Sequence, residues 1–275
     1  MKFGNSPSEW RHLLPQPGPQ SHKHARGRLG VISGGAMSTG AARLSARAGL
    51  RIGAGLVKVF CPPDAVPVLA VALEAVMLAS FATPDQLQAL ADPMDAVVIG
   101  PAAGLNESTV LNLAALARTG AALVVDADAL TLFRDRSEQL FGWLDRDDVL
   151  TPHEGEFERL FPGLLVELGR EGAAQEAARR AGSVIVLKGA STVIAAPDER
   201  LAVNGDGSPW LATAGSGDVL AGMIGGLIAQ HMDSFDAARA AVWIHSEAAR
   251  RFGPGLIAED LPQALPAVLT GLLSG

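Results

Sequence analysis

From Gly30 onward, short runs of β-branched and aliphatic residues alternate with Ala- and Leu-rich stretches of helical period. That alternation predicts βαβ units around a mostly parallel sheet, because parallel neighbours need a long crossover and the usual crossover is a helix. Five strands are expected, at Leu29–Ser33, Leu56–Phe60, Ala96–Ile99, Ala121–Val125 and Ser183–Leu187, each ended by a turn containing Gly, Pro or Asp. Thr151-Pro152-His153 closes another. Thr192–Ala195 and Leu201–Val203, joined by Ala-Pro-Asp-Glu-Arg, read as a hairpin and give the sheet an antiparallel margin. The expected fold class is α/β, with helices on both faces of the sheet. No internal repeat or low-complexity linker divides the chain, so one domain is expected at 22–275, preceded by a polar, Pro-rich arm at 1–21.

Composition narrows the function classes. Of 275 residues, 48% are hydrophobic and 19% charged, enough apolar material for a large core. The 22 Lys and Arg against 29 Asp and Glu leave a net charge of −7, with no basic stripe, which argues against nucleic acid as a partner. A single cysteine, Cys61, excludes a disulfide framework and a cysteine-based zinc site. The N-terminus lacks the apolar stretch of a secretory signal, and the longest apolar run, Val219–Ala229, is far short of the ~20 residues that span a bilayer. A cytoplasmic protein without a membrane partner is expected.

The strongest chemical signal is Gly215-Ser216-Gly217-Asp218, which opens a helix whose apolar residues Val219, Leu220, Met223, Ile224, Leu227 and Ile228 recur at helical spacing. Small residues leave backbone N–H groups uncovered, and the helix N-terminus adds partial positive charge, so Gly215, Ser216 and Gly217 can form an anion hole for a phosphoryl group. A carboxylate beside phosphate is unfavourable unless it takes a proton from the attacking hydroxyl, which makes Asp218 the candidate general base. The plainer alternative is that Ser216 or Asp218 caps the helix while the glycines serve packing.

Lys188, Gly189, Ala190, Ser191 and Thr192 follow a strand and suit a nucleotide's phosphates, although a strand-end Lys is ordinarily a solvated surface charge. Neither G-x-x-x-x-G-K-[ST] nor G-x-G-x-x-G after a strand occurs, which disfavours P-loop and Rossmann readings. Asp126 and Asp128 stand just past a strand, where paired acids can orient magnesium or substrate hydroxyls, or simply cap the next helix. His153 lies on the same carboxyl-end side, with Glu154 and Glu156 in the first turn of the helix it opens.

Taken in order, His22-Lys23, Gly34–Ala42, Gly100–Gly104, Asp126–Leu130, Thr151–Glu156, Lys188–Thr192 and Gly215–Gly222 resemble the ADP-dependent (S)-NAD(P)H-hydrate dehydratase family, which is ribokinase-like. The resemblance runs from about His22 to the end. It implies that Ala41, Gly104, His153 and Asp218 contact the hydrated nicotinamide nucleotide, and that Lys188, Gly189, Ala190, Ser191, Thr192 and Gly217 hold an adenine nucleotide. It also implies ADP as co-substrate, Mg2+, a homo-tetramer, and an epimerase of NAD(P)H hydrates on a separate chain. Position 216 is Ser where the family's turn more often has Thr, which keeps the small hydroxyl. His24-Ala25-Arg26-Gly27 departs from the short Gly-containing turn that commonly follows His-Lys. Two readings stand beside this one: a vitamin-precursor type of small-molecule kinase of the same superfamily, because Gly-Ser-Gly-Asp serves any hydroxyl phosphorylation, and a catalytically silent nucleotide-binding module.

Overall fold

Ten strands form one sheet in the computed structural model, which describes residues 2–274 apart from 19 and 206, with backbone only at 2 and 3. They are β1 (Lys2–Gly4), β2 (Arg28–Ile32), β3 (Leu56–Cys61), β4 (Met77–Ser80), β5 (Ala96–Ile99), β6 (Ala122–Val125), β7 (Val149–Leu150), β8 (Val184–Leu187), β9 (Thr192–Ala195) and β10 (Leu201–Asn204). The order across the sheet is β1-β10-β9-β8-β7-β6-β5-β2-β3-β4. Strands β2 to β8 are parallel to one another, and β9 runs against its neighbours β8 and β10 as the expected hairpin. The chain reverses its direction of growth beside β2, whose two neighbours are β3 and β5. In a parallel open sheet the carboxyl ends at such a switch leave a crevice for ligands.

Side chains of each central strand point alternately to two separate cores, as a pleat of period two requires. Val31, Val59, Val98, Val124 and Val186 join the core under the helices Gly40–Arg51, Ser216–Ala229, Ser234–Phe252 and Leu261–Leu273. Ile32, Phe60, Ile99, Val125 and Leu187 join the other, under Pro84–Ala91, Glu107–Leu116 and Leu164–Ala181. Among the described residues no helix is long and apolar enough to cross a membrane.

Two strands escape the sequence pattern. β4 is a half-exposed edge strand, and β1 has only three residues; both owe their extended form to pairing, with β3 and β10 respectively. The segment read as a polar arm is therefore joined to the sheet. Asn5 Nδ2 donates to Asn204 Oδ1 at 3.1 Å, Trp10 Nε1 donates to Asn5 Oδ1 at 3.2 Å, and the buried Trp10 ring meets Trp243 edge-on.

The Ser216–Ala229 helix lies almost backbone-to-backbone on the Gly40–Arg51 helix. A Cβ at Gly222 would stand 2.1 Å from the Ser45 carbonyl oxygen, and one at Gly226 2.5 Å from Ile52. Alanine at 222 would gain about 1 kcal/mol of helix propensity. The obstacle is backbone, which cannot swing aside, so the clash prevails. Gly222→Ala is expected to destabilise the fold by about 1–3 kcal/mol, read as a lower urea midpoint at unchanged m. A midpoint at or above that of the parent would show that the two helices separate without cost.

Candidate active site

The turns after β2, β5 and β6 are pressed together at the carboxyl edge. A Cβ at Gly34 would lie 2.1 Å from the Ala102 carbonyl oxygen, and one at Gly100, where φ is +123°, 1.7 Å from that of Asp126. Only glycine fits either place. This crowding sets Asp126, just past β6, beside Lys188, just past β8: Lys188 Nζ donates to Asp126 Oδ1 at 2.7 Å, with the side chains 21% and 2% exposed. Lys188 is thus a fixed internal cation rather than a solvated surface charge. Burial works against its ammonium, but Asp126, Glu156 and Asp218 outweigh burial and hold its pKa above the ordinary value.

Gly215 adopts the left-handed conformation, φ +87°, and starts the Ser216–Ala229 helix without any side-chain cap. Ser216 Oγ donates instead to the Leu211 carbonyl at 2.8 Å. Capping by Ser216 or Asp218 is thereby excluded. Of the expected anion hole, the Ser216 N–H is taken by the Thr213 carbonyl at 3.4 Å, but among the described residues no protein acceptor takes the N–H of Gly217 or of Asp218, so the helix begins with open donors. Gly217 stands beside the ion pair: a Cβ there would be 3.6 Å from Lys188 Nζ and 3.9 Å from Asp126 Oδ2. Asp218 is half-buried there. Burial, then Asp126 and Asp128, prevail over Lys188 and push its pKa up to about 6. A carboxyl so tuned is a usable base near neutrality.

Asp128 does not cap its helix with its side chain; its Oδ2 accepts the Gly104 N–H at 2.9 Å, so the β5 and β6 turns are tied. Between the two acids Ala127 holds φ +51°, a conformation that costs a non-glycine residue about 1–3 kcal/mol and clusters at functional sites. His153 caps the Glu154–Leu160 helix, its Nδ1 accepting the Glu156 N–H at 3.1 Å while Glu156 Oε2 accepts the His153 N–H at 2.9 Å. The His153 backbone bridges that of Lys188, and its ring is more than half exposed. Ala41 stands in the first turn of the Gly40–Arg51 helix, one turn before Leu44, which would touch a Cβ at Gly215.

Lys188, Gly189, Ala190, Thr192, Ser216 and Gly217 line a cavity of about 430 Å³. Ser191 turns its carbonyl to Arg170, whose Nη2 also donates to the carbonyls of Leu187 and Lys188, at 2.9, 3.1 and 3.3 Å. Arg170 pairs as well with Glu154, so one guanidinium braces the Lys188 loop and the segment after His153. The sequence reading missed Arg170 and the Asp126–Lys188 pair, because neither is legible from spacing. It also missed His245, whose only signal is one imidazole inside an apolar helical pattern. Among the described residues no cluster of three or more His, Cys, Asp or Glu is arranged to hold a metal.

The family model described as NAD(P)H-hydrate dehydratase matches residues 29–268. The ADP-dependent (S)-NAD(P)H-hydrate dehydratase of Xanthomonas campestris pv. campestris is 34% identical, covering 95% of this chain and 94% of its own. The bifunctional NAD(P)H-hydrate repair enzyme of Coxiella burnetii is 36% identical over 92% of this chain, which spans about half, 53%, of that relative. The ADP/ATP-dependent NAD(P)H-hydrate dehydratase of Bacillus subtilis, co-crystallised with ATP and Mg2+, superposes with a TM-score of 0.87 at 28% identity, covering 98% of each chain. The fold is that of the ribokinase-like neighbours.

Proposed function

Because this chain belongs to the NAD(P)H-hydrate dehydratase family, we propose that it dehydrates the S form of hydrated NADH and NADPH at the expense of ADP. The observation that carries this reading is the half-buried Asp218, its pKa near 6, at an uncapped helix start facing Lys188. In this reading Asp218 takes the proton of the hydrate's hydroxyl as that oxygen bonds to the terminal phosphorus of ADP and the bond to the AMP oxygen breaks. The N–H groups of Gly217 and Asp218 receive the charge on the transferring phosphoryl group. The C–O bond of the ester then breaks, phosphate leaves with the electron pair, and loss of a proton from the adjacent ring carbon restores the dihydronicotinamide.

The Lys188–Thr192 loop and Gly217 hold the adenine nucleotide, and Ala41, Gly104 and His153 border the hydrate. Mg2+ is ordinarily held by one or two carboxylates together with phosphates and water, and Asp128, with Asp126 already engaged by Lys188 and Asp218 kept for the proton, fits that sparse donor set. Bound with the nucleotide it would neutralise phosphate charge. Assembly as a homo-tetramer, a cytoplasmic location, and supply of the S form by a separate epimerase complete the proposal.

The test is incubation of mixed R and S hydrates with ADP or ATP and Mg2+. The expected result is release of free phosphate with return of the reduced-nicotinamide absorbance, and consumption of the S form alone unless an epimerase is added. A stable phosphomonoester would mark a kinase. ADP binding without turnover of any hydroxylated substrate would mark a silent module.

A further inference from the structure

The cavity beside Lys188 contains a polar group that the reaction does not use. His245, from the Ser234–Phe252 helix, is 5% exposed and lines this cavity together with Pro209, Leu211, Leu220 and Val242. Its Nε2 is buried without a hydrogen-bond partner among the described residues, while the other side of the ring interacts with the Ser216 carbonyl. An orphaned buried nitrogen is costly unless a ligand satisfies it. Ser208 Oγ, buried and also unpartnered among the described residues, lines the same space. Two residues with unmet polar atoms thus border one cavity whose wall is largely apolar.

We propose that His245 selects the base of the nucleotide, its Nε2 accepting a hydrogen bond from the exocyclic amine of adenine. The inference rests on the reading of this cavity as the nucleotide pocket and adds its specificity. The ring hydrogen belongs on the nitrogen facing the Ser216 carbonyl, since that oxygen can only accept, so Nε2 presents a lone pair. Burial, opposed by the Ser216 carbonyl and aided by Lys188, pushes the His245 pKa down to about 4, so the ring stays neutral at physiological pH. Phosphate offers such an acceptor no donor. The adenine amine does, and the flat faces of the base suit the Pro209, Leu211, Leu220 and Val242 walls. Hypoxanthine carries a carbonyl oxygen where adenine has the amine, and two acceptors then face each other.

The experiment compares KM for ADP, IDP and 2′-deoxy-ADP in the wild-type protein, His245→Ala and His245→Gln, with S hydrate saturating. The wild type is expected to prefer ADP over IDP by about tenfold or more. In His245→Ala this ratio is expected to fall to within about threefold of unity, with the loss carried by KM for ADP more than by kcat. Equal use of ADP and IDP by the wild type overturns the proposal, and this arm stands even if the variants fail to fold. A folded His245→Ala or His245→Gln that keeps the ratio also overturns it. So does an effect confined to 2′-deoxy-ADP, which would put the ribose at Nε2. Failure of the folded wild type to use any adenine nucleotide would instead overturn the proposed function, and this inference with it.

Discussion

Asp218→Asn is expected to lower kcat by about 10²–10⁴, the usual loss for a positioned acid–base group, or about 3–5 kcal/mol of barrier. The amide has nearly the same shape, and the Asp218 side chain caps nothing, so the fold should be intact. What disappears is the acceptor for the hydroxyl proton. A negative charge beside phosphate also disappears, so ADP should bind as well as before or slightly better. The pH profile provides the control. A base works in its deprotonated form, so with a pKa of about 6 the wild-type kcat/KM should rise with pH through 6, level off above it, and fall tenfold per unit below. The variant should lack that acid limb. A kcat within about tenfold of wild type would remove Asp218 from the chemistry.

Lys188→Ala should act chiefly on the nucleotide. A hydrogen bond to a charged group contributes about 1.5–3 kcal/mol, so ADP affinity should fall roughly 10- to 150-fold. The substitution also strands Asp126, which is 2% exposed and loses its 2.7 Å partner. Breaking a fully buried pair costs about 3–5 kcal/mol, but solvent reaches this lysine, so the loss of stability should be smaller. Combining Lys188→Ala with Asp126→Asn separates the two effects, since stability should recover and ADP affinity should not. Lys188 is moreover the cation that opposes the rise of the Asp218 pKa, so without it the acid limb should move upward from about 6. Calorimetry that finds unchanged ADP affinity in Lys188→Ala would take this residue out of the nucleotide site.

Most of the architecture was legible because it is local. Val-Val and Val-Ile-Val-Leu runs bounded by turn residues state a buried parallel strand in themselves, and Gly215-Ser216-Gly217-Asp218 before an apolar helical repeat states a glycine-rich helix start. The missed strands show where this ends. Lys2–Gly4 and Met77–Ser80 carry no decisive pattern of their own, since each sits at a sheet edge and is extended because a neighbour pairs with it.

The sequence by itself determined the α/β class, the succession of turns at the carboxyl ends of the strands, and which residue types stand in those turns. Each of these follows from the conformational preference of a few consecutive residues. The tertiary structure alone decided that Lys188 is held by Asp126, 62 positions away, that the helix at Ser216 stays uncapped because the serine hydroxyl turns to Leu211, and that His245 keeps an unmet nitrogen on the wall of a cavity. The physical reason is that ionisation and hydrogen-bond satisfaction depend on distance and burial. Those quantities arise only when β6, β8 and the Ser216–Ala229 helix are brought to one edge of the sheet.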